Sequence, residues 1–250
     1  MKVVLIKSES DGPDKFVEKL QKNSFNVTSI SSIDFQFKNL DKLNDILKNH
    51  SDSYDGMIFT SPRAVHALKN AVEQNDSTIL NDWILKDFNY SVGEGTYTLV
   101  DMLLNMKTKG KEAGNALKLS SIIANDFKNR FDKRKLLFVC GNLKQDILER
   151  NLKDNAIDLD VIEVYETIQH PNLDSSINEL KDVQFLVFFS PSSVNFSLPL
   201  ISKHGIDISS IKIIAIGPST EKCLSSNNIK CYVCDKPSPE SLINFIKSCV

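Results

Sequence analysis

Short apolar runs alternate with stretches in which apolar residues recur every three or four positions, and this alternation persists along the whole chain. Residues 3–6 read as a strand, 13–22 as a helix and 27–37 as a long second strand. A helix carrying Leu40, Leu43, Ile46 and Leu47 follows, then a strand over 56–60 and a helix whose Ala64, Val65, Leu68, Ala71 and Val72 fall on one face. A strand over 90–92, a helix with Val100, Leu103 and Leu104, a weak strand over 107–112 and a helix over 115–127 complete the first half. The second half repeats the order, with strands over 136–140, 159–169, 185–189, 211–216 and 230–234. The helices between and after them cover 144–152, 173–180, 192–202, 219–226 and 239–248. Strands that are apolar throughout and separated by helices predict an α/β protein with a parallel sheet covered on both faces, the doubly wound architecture.

The two halves also echo each other in residues. Phe59-Thr60-Ser61-Pro62 answers Phe189-Ser190-Pro191, and Val92-Gly93 with Thr96 answers Ile216-Gly217 with Thr220. The offset is too long for a solenoid repeat and suits a tandem pair of flavodoxin-like domains.

Composition narrows the classes. The 250 residues are 41% hydrophobic and 25% charged, near the globular average. With 30 Lys and Arg against 32 Asp and Glu, the net charge of −2 lacks the basic excess of a nucleic-acid or membrane-surface binder. No apolar run approaches the roughly 20 residues that span a bilayer, or a signal-peptide core. Five cysteines (Cys140, Cys223, Cys231, Cys234, Cys249) without framework spacing predict free thiols in a reducing compartment, the cytosol.

Candidate chemistry concentrates where strands hand over to helices. Ser61-Pro62, Ser190-Pro191, Gly217-Pro218 and Ser238-Pro239 each place a capping residue before a proline suited to the first helical position. Gly93-Glu94-Gly95-Thr96 and Cys140-Gly141-Asn142-Leu143-Lys144 are similar turns without proline. Helix N-termini at the carboxyl ends of parallel strands favour anions, so the set predicts a cleft lined by neutral donors for a ligand with dispersed acidic groups.

Sharper motifs fail. Gly93-Glu94-Gly95 lacks the third glycine of a dinucleotide fingerprint, since Thr98 stands there, and no Walker sequence occurs. Cys231 and Cys234 sit three apart on a strand, which puts their thiols on opposite faces. Ser219 and Lys222 form an S-x-x-K that reads as a cap and a solvated lysine. The four histidines show no ligand spacing, and no metal site is expected. Tyr165 lies in a strand whose alternation groups it with Val161, Glu163 and Thr167; its phenol reads either as half-solvated or as pointing into an interdomain cleft. Arg63, just inside a helix start, could meet a carboxylate bidentately.

Several stretches together resemble the uroporphyrinogen-III synthase family, particularly its animal forms. They are Phe59-Thr60-Ser61-Pro62-Arg63-Ala64-Val65, Gly114-Asn115-Ala116, Cys140-Gly141-Asn142-Leu143-Lys144, Val164-Tyr165-Glu166-Thr167 with His170-Pro171, Phe188-Phe189-Ser190-Pro191-Ser192 and Ile216-Gly217-Pro218-Ser219-Thr220. The resemblance implies two flavodoxin-like domains, 1–34 with 170–250 and 35–169, joined by a two-stranded antiparallel connector near 33–37 and 161–169. It implies cofactor-free closure of the linear tetrapyrrole hydroxymethylbilane to uroporphyrinogen III by a monomer. The resemblance places Thr60, Ser61, Arg63, Thr96, Gly141, Asn142, Tyr165, Ser190, Ser192, Gly217, Ser219 and Thr220 on substrate-facing turns, with Tyr165 as a general acid or positioning group. Ser219 stands where relatives often carry threonine, and Glu94-Gly95 adds a negative charge where small or amide residues are commoner. Two other readings share the architecture: a non-catalytic two-lobed binder of small anions, which would need an export signal, and a nucleotide-dependent enzyme, which would need a phosphate fingerprint.

Overall fold

The structure, a computed structural model, describes all residues except 10, 11, 74–76, 131–133, 145 and 250, and the side chain of residue 77. The chain forms two compact units, Met1–Asp34 with Ile168–Val250, and Phe35–Thr167.

The first unit is built on β1 (Lys2–Ser8), whose Val3, Val4, Leu5 and Ile6 are fully buried. Because successive strand residues point to opposite faces, one apolar run serves two cores. Val4 and Ile6 join the cluster under α8 (Leu173–Ser176), α9 (Pro191–Lys203) and α10 (Pro218–Ser226), while Val3 and Leu5 join that under α1 (Lys15–Lys22) and α11 (Pro239–Ser248). β1 pairs in parallel with β2 (Asn26–Phe37) on one side and β7 (Phe185–Phe188) on the other. β8 (Lys212–Ala215) and β9 (Tyr232–Val233) continue the sheet, again in parallel. Numbered within the unit, the order is 2-1-3-4-5, that of a flavodoxin-like doubly wound sheet.

The second unit has the same order, entered at a different strand. β3 (Tyr54–Phe59) and β4 (Tyr90–Ser91) come first, and β5 (Lys135–Gly141) and β6 (Leu159–Gln169) last, yet in space they lie as β6-β5-β3-β4, all parallel. A single parallel bridge from Tyr90 to Lys109 occupies the fifth place. Taking β5 as strand 1 recovers 2-1-3-4-5. On one face lie α2 (Leu40–Asn49), α3 (Pro62–Glu73) and α5 (Gly93–Leu104); on the other lie α6 (Ala116–Phe127) and α7 (Ile147–Asp154). The residue echoes now have positions: β3 and β7 are both third in their order, β4 and β8 both fourth, and the long strands β2 and β6 both second. β2 and β6 also carry the chain from one unit to the other. Their hydrogen bonds, His170 N to Ser32 O at 3.2 Å and Lys38 N to Val164 O at 2.9 Å, run in opposite senses along the two strands.

Several elements differ from the sequence expectation. The strand expected over 107–112 shrinks to the Lys109 bridge because Gly110 adopts a left-handed φ of 95° and turns the chain away. The first helix starts at Lys15, since Asp14 Oδ1 accepts from Phe16 N at 3.0 Å and fixes the cap there. The helix over 173–180 tightens after Ser176 into a 3₁₀ turn, Ile177–Leu180. The last strand is only Tyr232–Val233; Cys231 and Cys234 pack on opposite faces of it, as their odd spacing requires. A short helix, α4 (Asn81–Ile84), carries no periodicity that distinguishes it from a loop. It is held because Trp83 is fully buried and donates its indole N–H to Leu47 O at 3.0 Å.

Gly56 in β3 leaves room for a neighbouring backbone: a Cβ there would lie 2.1 Å from Phe88 O. Strand propensity alone would make Gly56→Ala stabilising by about 0.5–1 kcal/mol. The clash reverses the sign, and urea unfolding of Gly56→Ala is expected to show a loss of about 3 kcal/mol.

Candidate functional site

In the second unit the turn from β3 to α3 sets the first group. Phe59 closes a buried strand, and Pro62 takes the first helical position, where its missing N–H is no loss. Ser61 caps the helix, its Oγ accepting from Ala64 N at 3.3 Å. The same Oγ lies 3.0 Å from the phenol oxygen of Tyr165.

Tyr165 reaches Ser61 through an irregularity in β6. Strict alternation would group Tyr165 with Val161 and Glu163, away from Ile162 and Val164. Instead Tyr165 packs with Ile162 and Val164 on the α3 face, and Val161 packs on the other. The register against β5 explains the change: Cys140 faces Glu163, but the next residue, Gly141, faces Tyr165. One extra residue on β6 forms a bulge there and turns the tyrosine over. Gly141 is required by the same event, because a Cβ at 141 would lie 2.3 Å from Tyr165 Cζ and 2.7 Å from its oxygen.

Two further side chains hold the phenol. Phe35, near the end of β2, meets the Tyr165 ring edge to face at 6.1 Å and 72°. Over the Phe35 ring the Arg63 guanidinium stacks at 3.3 Å. Stacking uses the face of a guanidinium, whereas carboxylates bind its edge. Asn142 closes the bulge: its N–H donates to Tyr165 O at 3.1 Å and its Oδ1 accepts from Thr167 N at 3.0 Å. The structure thus brings Ser61, Arg63, Gly141, Asn142 and Tyr165 together. Thr60 is half-buried beside them, whereas Thr96 is only 4% exposed within α5. The charge of Glu94 is met by Lys111 at 3.3 Å.

In the first unit the turn after β7 has the corresponding cap. Ser190 Oγ accepts from Ser193 N at 3.1 Å and lies 2.9 Å from Ser193 Oγ. Ser193 in turn receives the hydroxyl proton of Ser32 at 2.9 Å, with Lys7 O a longer acceptor for Ser32 at 3.2 Å. Ser32, Ser193 and Ser190 thus form a run of hydroxyls that leads to the turn after β7. Ser192 and Gly217 are half-buried and Ser219 is exposed, but Thr220 is 1% exposed.

Burial pushes the Cys140 thiol up to about 12, so it stays protonated near neutrality and is no nucleophile. Lys38 hydrogen-bonds Glu163 at 2.9 Å, and that bond raises its pKa. Sequence reasoning missed Phe35, Ser32 and Ser193. Phe35 sat in a stretch read only as connector, and the two serines carry no spacing that marks them as partners.

The family model described as "Uroporphyrinogen-III synthase HemD" matches residues 14–244. The chain is 28% identical over 248 residues to the "Uroporphyrinogen-III synthase" of Schizosaccharomyces pombe, covering 97% of this chain and 95% of the relative. It is 25% identical over 267 residues to that of Saccharomyces cerevisiae, covering 99% and 96%. Among solved structures, the uroporphyrinogen-III synthetase of Helicobacter pylori superposes with a TM-score of 0.70 at 18% identity, covering 100% of this chain and 99% of that one. A mutant uroporphyrinogen III synthase of Thermus thermophilus gives 0.61 at 15% identity, covering 99% and 98%. These structures share the fold.

The clearance at Gly141 is measurable by a double-mutant cycle. Gly141→Ala is expected to lower stability by about 2–3 kcal/mol in the native background and by almost nothing beside Tyr165→Ala, a coupling of about 2 kcal/mol in urea unfolding. Equal costs in both backgrounds would show that the phenol does not occupy that space.

Proposed function

This chain belongs to the uroporphyrinogen-III synthase family, and on that premise we propose that it closes hydroxymethylbilane into uroporphyrinogen III, losing water and inverting the last pyrrole ring. The observation that carries the mechanism is the Tyr165 phenol held 3.0 Å from a helix-capping serine. Because Ser61 Oγ already accepts from Ala64 N, its own proton can be given to Tyr165. The phenol proton then points outward, toward the departing hydroxyl of the substrate.

In the proposed sequence the hydroxymethyl C–O bond of ring A breaks as its oxygen takes the Tyr165 proton and leaves as water. The electron pair of the pyrrole nitrogen fills the gap and forms an azafulvene. The substituted carbon of ring D attacks it, giving a spiro intermediate. That intermediate opens between rings C and D and recloses through the other α-carbon of ring D. The proton lost as ring D becomes aromatic again restores the phenol. The helix N-terminus under Ser61 favours the charge that gathers on the phenol oxygen. No cofactor enters this sequence, and holding the flexible chain in an attacking geometry supplies much of the acceleration.

For the carboxylates of the substrate we propose Thr60, Arg63 and the side-chain amide of Asn142 in one unit. In the other we propose Ser190, Ser192, Ser219 and the backbone of Gly217. Gly141, Thr96 and Thr220 act in support, the first by clearance and the buried threonines by packing. The protein is proposed to work as a monomer in the cytosol. All five cysteines are free thiols, which supports a reducing compartment. Among the described residues no helix is long and apolar enough to cross a membrane. Family membership does not favour the alternative of a non-catalytic small-anion binder.

Incubation with freshly generated hydroxymethylbilane, followed by chromatography of the oxidised products, should give type III porphyrin. Only type I, at the rate of the blank, would overturn the reading. Tyr165→Phe is expected to lower kcat about 100-fold with the fold intact. An undiminished rate would reduce Tyr165 to a positioning group.

A further inference from the structure

Beside the Ser61 turn the second unit holds a pocket of about 230 Å³ that shares only Thr60 with the carboxylate contacts proposed for this unit. Its walls divide by chemistry. Val92, Phe138 and Leu148 are apolar, and Thr60, Asn115 and Lys144 are polar. Whole small-molecule ligands take about 300–1,000 Å³, so this volume suits one side arm rather than four rings. The Lys144 side chain is only 18% exposed and is ion-paired with Glu149. A lysine so far withdrawn from water is expensive unless its charge is used or paired. Asn115 Oδ1 is already engaged, accepting from Lys118 N at 2.9 Å to cap α6. The unspent polarity of the pocket therefore lies in the Thr60 hydroxyl, the Asn115 amide and the ammonium.

We infer that this pocket seats one carboxylate arm of the substrate, methylenes against the apolar wall and carboxylate against Lys144, with Glu149 holding the ammonium until the arm arrives. The inference rests on the proposed function, which supplies the carboxylates. The Lys144 ammonium has three donors and Glu149 takes one, so a second carboxylate can be seated on the others, but two carboxylates that share one ammonium repel each other. Glu149 is thus both the support of Lys144 and a competitor of the substrate. The hydrogen bond from Lys144 to Glu149 also raises the pKa of Lys144, which keeps it charged at neutral pH.

Steady-state kinetics of type III formation on the full chain separate this role from a structural ion pair. Lys144→Met is expected to raise KM for hydroxymethylbilane about tenfold or more with kcat within about threefold of the native value. Lys144→Arg should recover part of that loss. Glu149→Gln, which removes the competitor, is expected to lower KM at least about threefold. An unchanged KM in Lys144→Met, or a raised or unchanged KM in Glu149→Gln, overturns the inference. If circular dichroism shows Lys144→Met unfolded, Glu149→Gln decides alone. Failure of the native chain to make type III porphyrin appears before any variant is tested; it strikes the proposed function and takes this inference with it.

Discussion

The period of two in a β-strand is the constraint on which the candidate site depends. A regular β6 would send Tyr165 to the same side as Val161 and Glu163, away from the helix start at Ser61. One extra residue opposite Gly141 reverses that direction. The reversal then demands a residue without a side chain at 141, because the ring fills the volume that a Cβ would take. Asn142 closes the ladder beyond the bulge by accepting from Thr167 N. Phe35 buttresses the ring from β2 and carries the Arg63 guanidinium on its own face. Five residues on four segments of chain thus answer to a single change of register.

Topology explains why such a device can arise twice and end differently. Each unit orders its strands 2-1-3-4-5, but the second is entered at its third strand. That permutation puts both passages between units in second-position strands, β2 and β6, and both must be long enough to serve two sheets. It also aligns the Ser61 turn with the Ser190 turn, since each follows a third-position strand. Sequence echoes between the halves therefore mark equivalent places in two sheets, and the turns they mark lie at carboxyl strand ends, where α/β proteins bind ligands.

Most of this architecture was legible in the hydrophobic pattern, because buried parallel strands such as Val3-Val4-Leu5-Ile6 are apolar on both faces and their covering helices show one apolar stripe. The turns were legible too, since Ser-Pro at a helix start has a local physical meaning. What stayed hidden depends on partners distant in the chain. The bulge at Gly141 and Tyr165 is a property of two strands in register, and alternation along β6 alone gives the wrong face. The buried Asn89 accepts from Met57 N at 2.8 Å through its Oδ1 and donates its Nδ2 to Trp83 O at 2.8 Å, yet nothing local distinguishes it from a turn asparagine. Thr96 and Thr220 lie in turns of the right kind, but helix phase carries both hydroxyl-bearing positions into the packed interior.

A net charge of −2 first argues against acidic partners, but hydrogen-bond accounting at the caps gives a more exact criterion. A hydroxyl that accepts a helix N–H has one side committed, so its proton must be directed elsewhere. At Ser61 that proton has the phenol of Tyr165 within reach; at Ser190, already accepting from Ser193 N, it has the Ser193 hydroxyl at 2.9 Å. Each cap therefore turns a neutral serine into an oriented donor without adding to the count of 30 basic residues. Donors of this kind carry no ion pair, whereas the Lys144 ammonium is paired with Glu149. In the proposed reading such donors hold most of a polyacidic molecule by geometry, and formal positive charge enters only at Arg63 and at the Lys144 pocket.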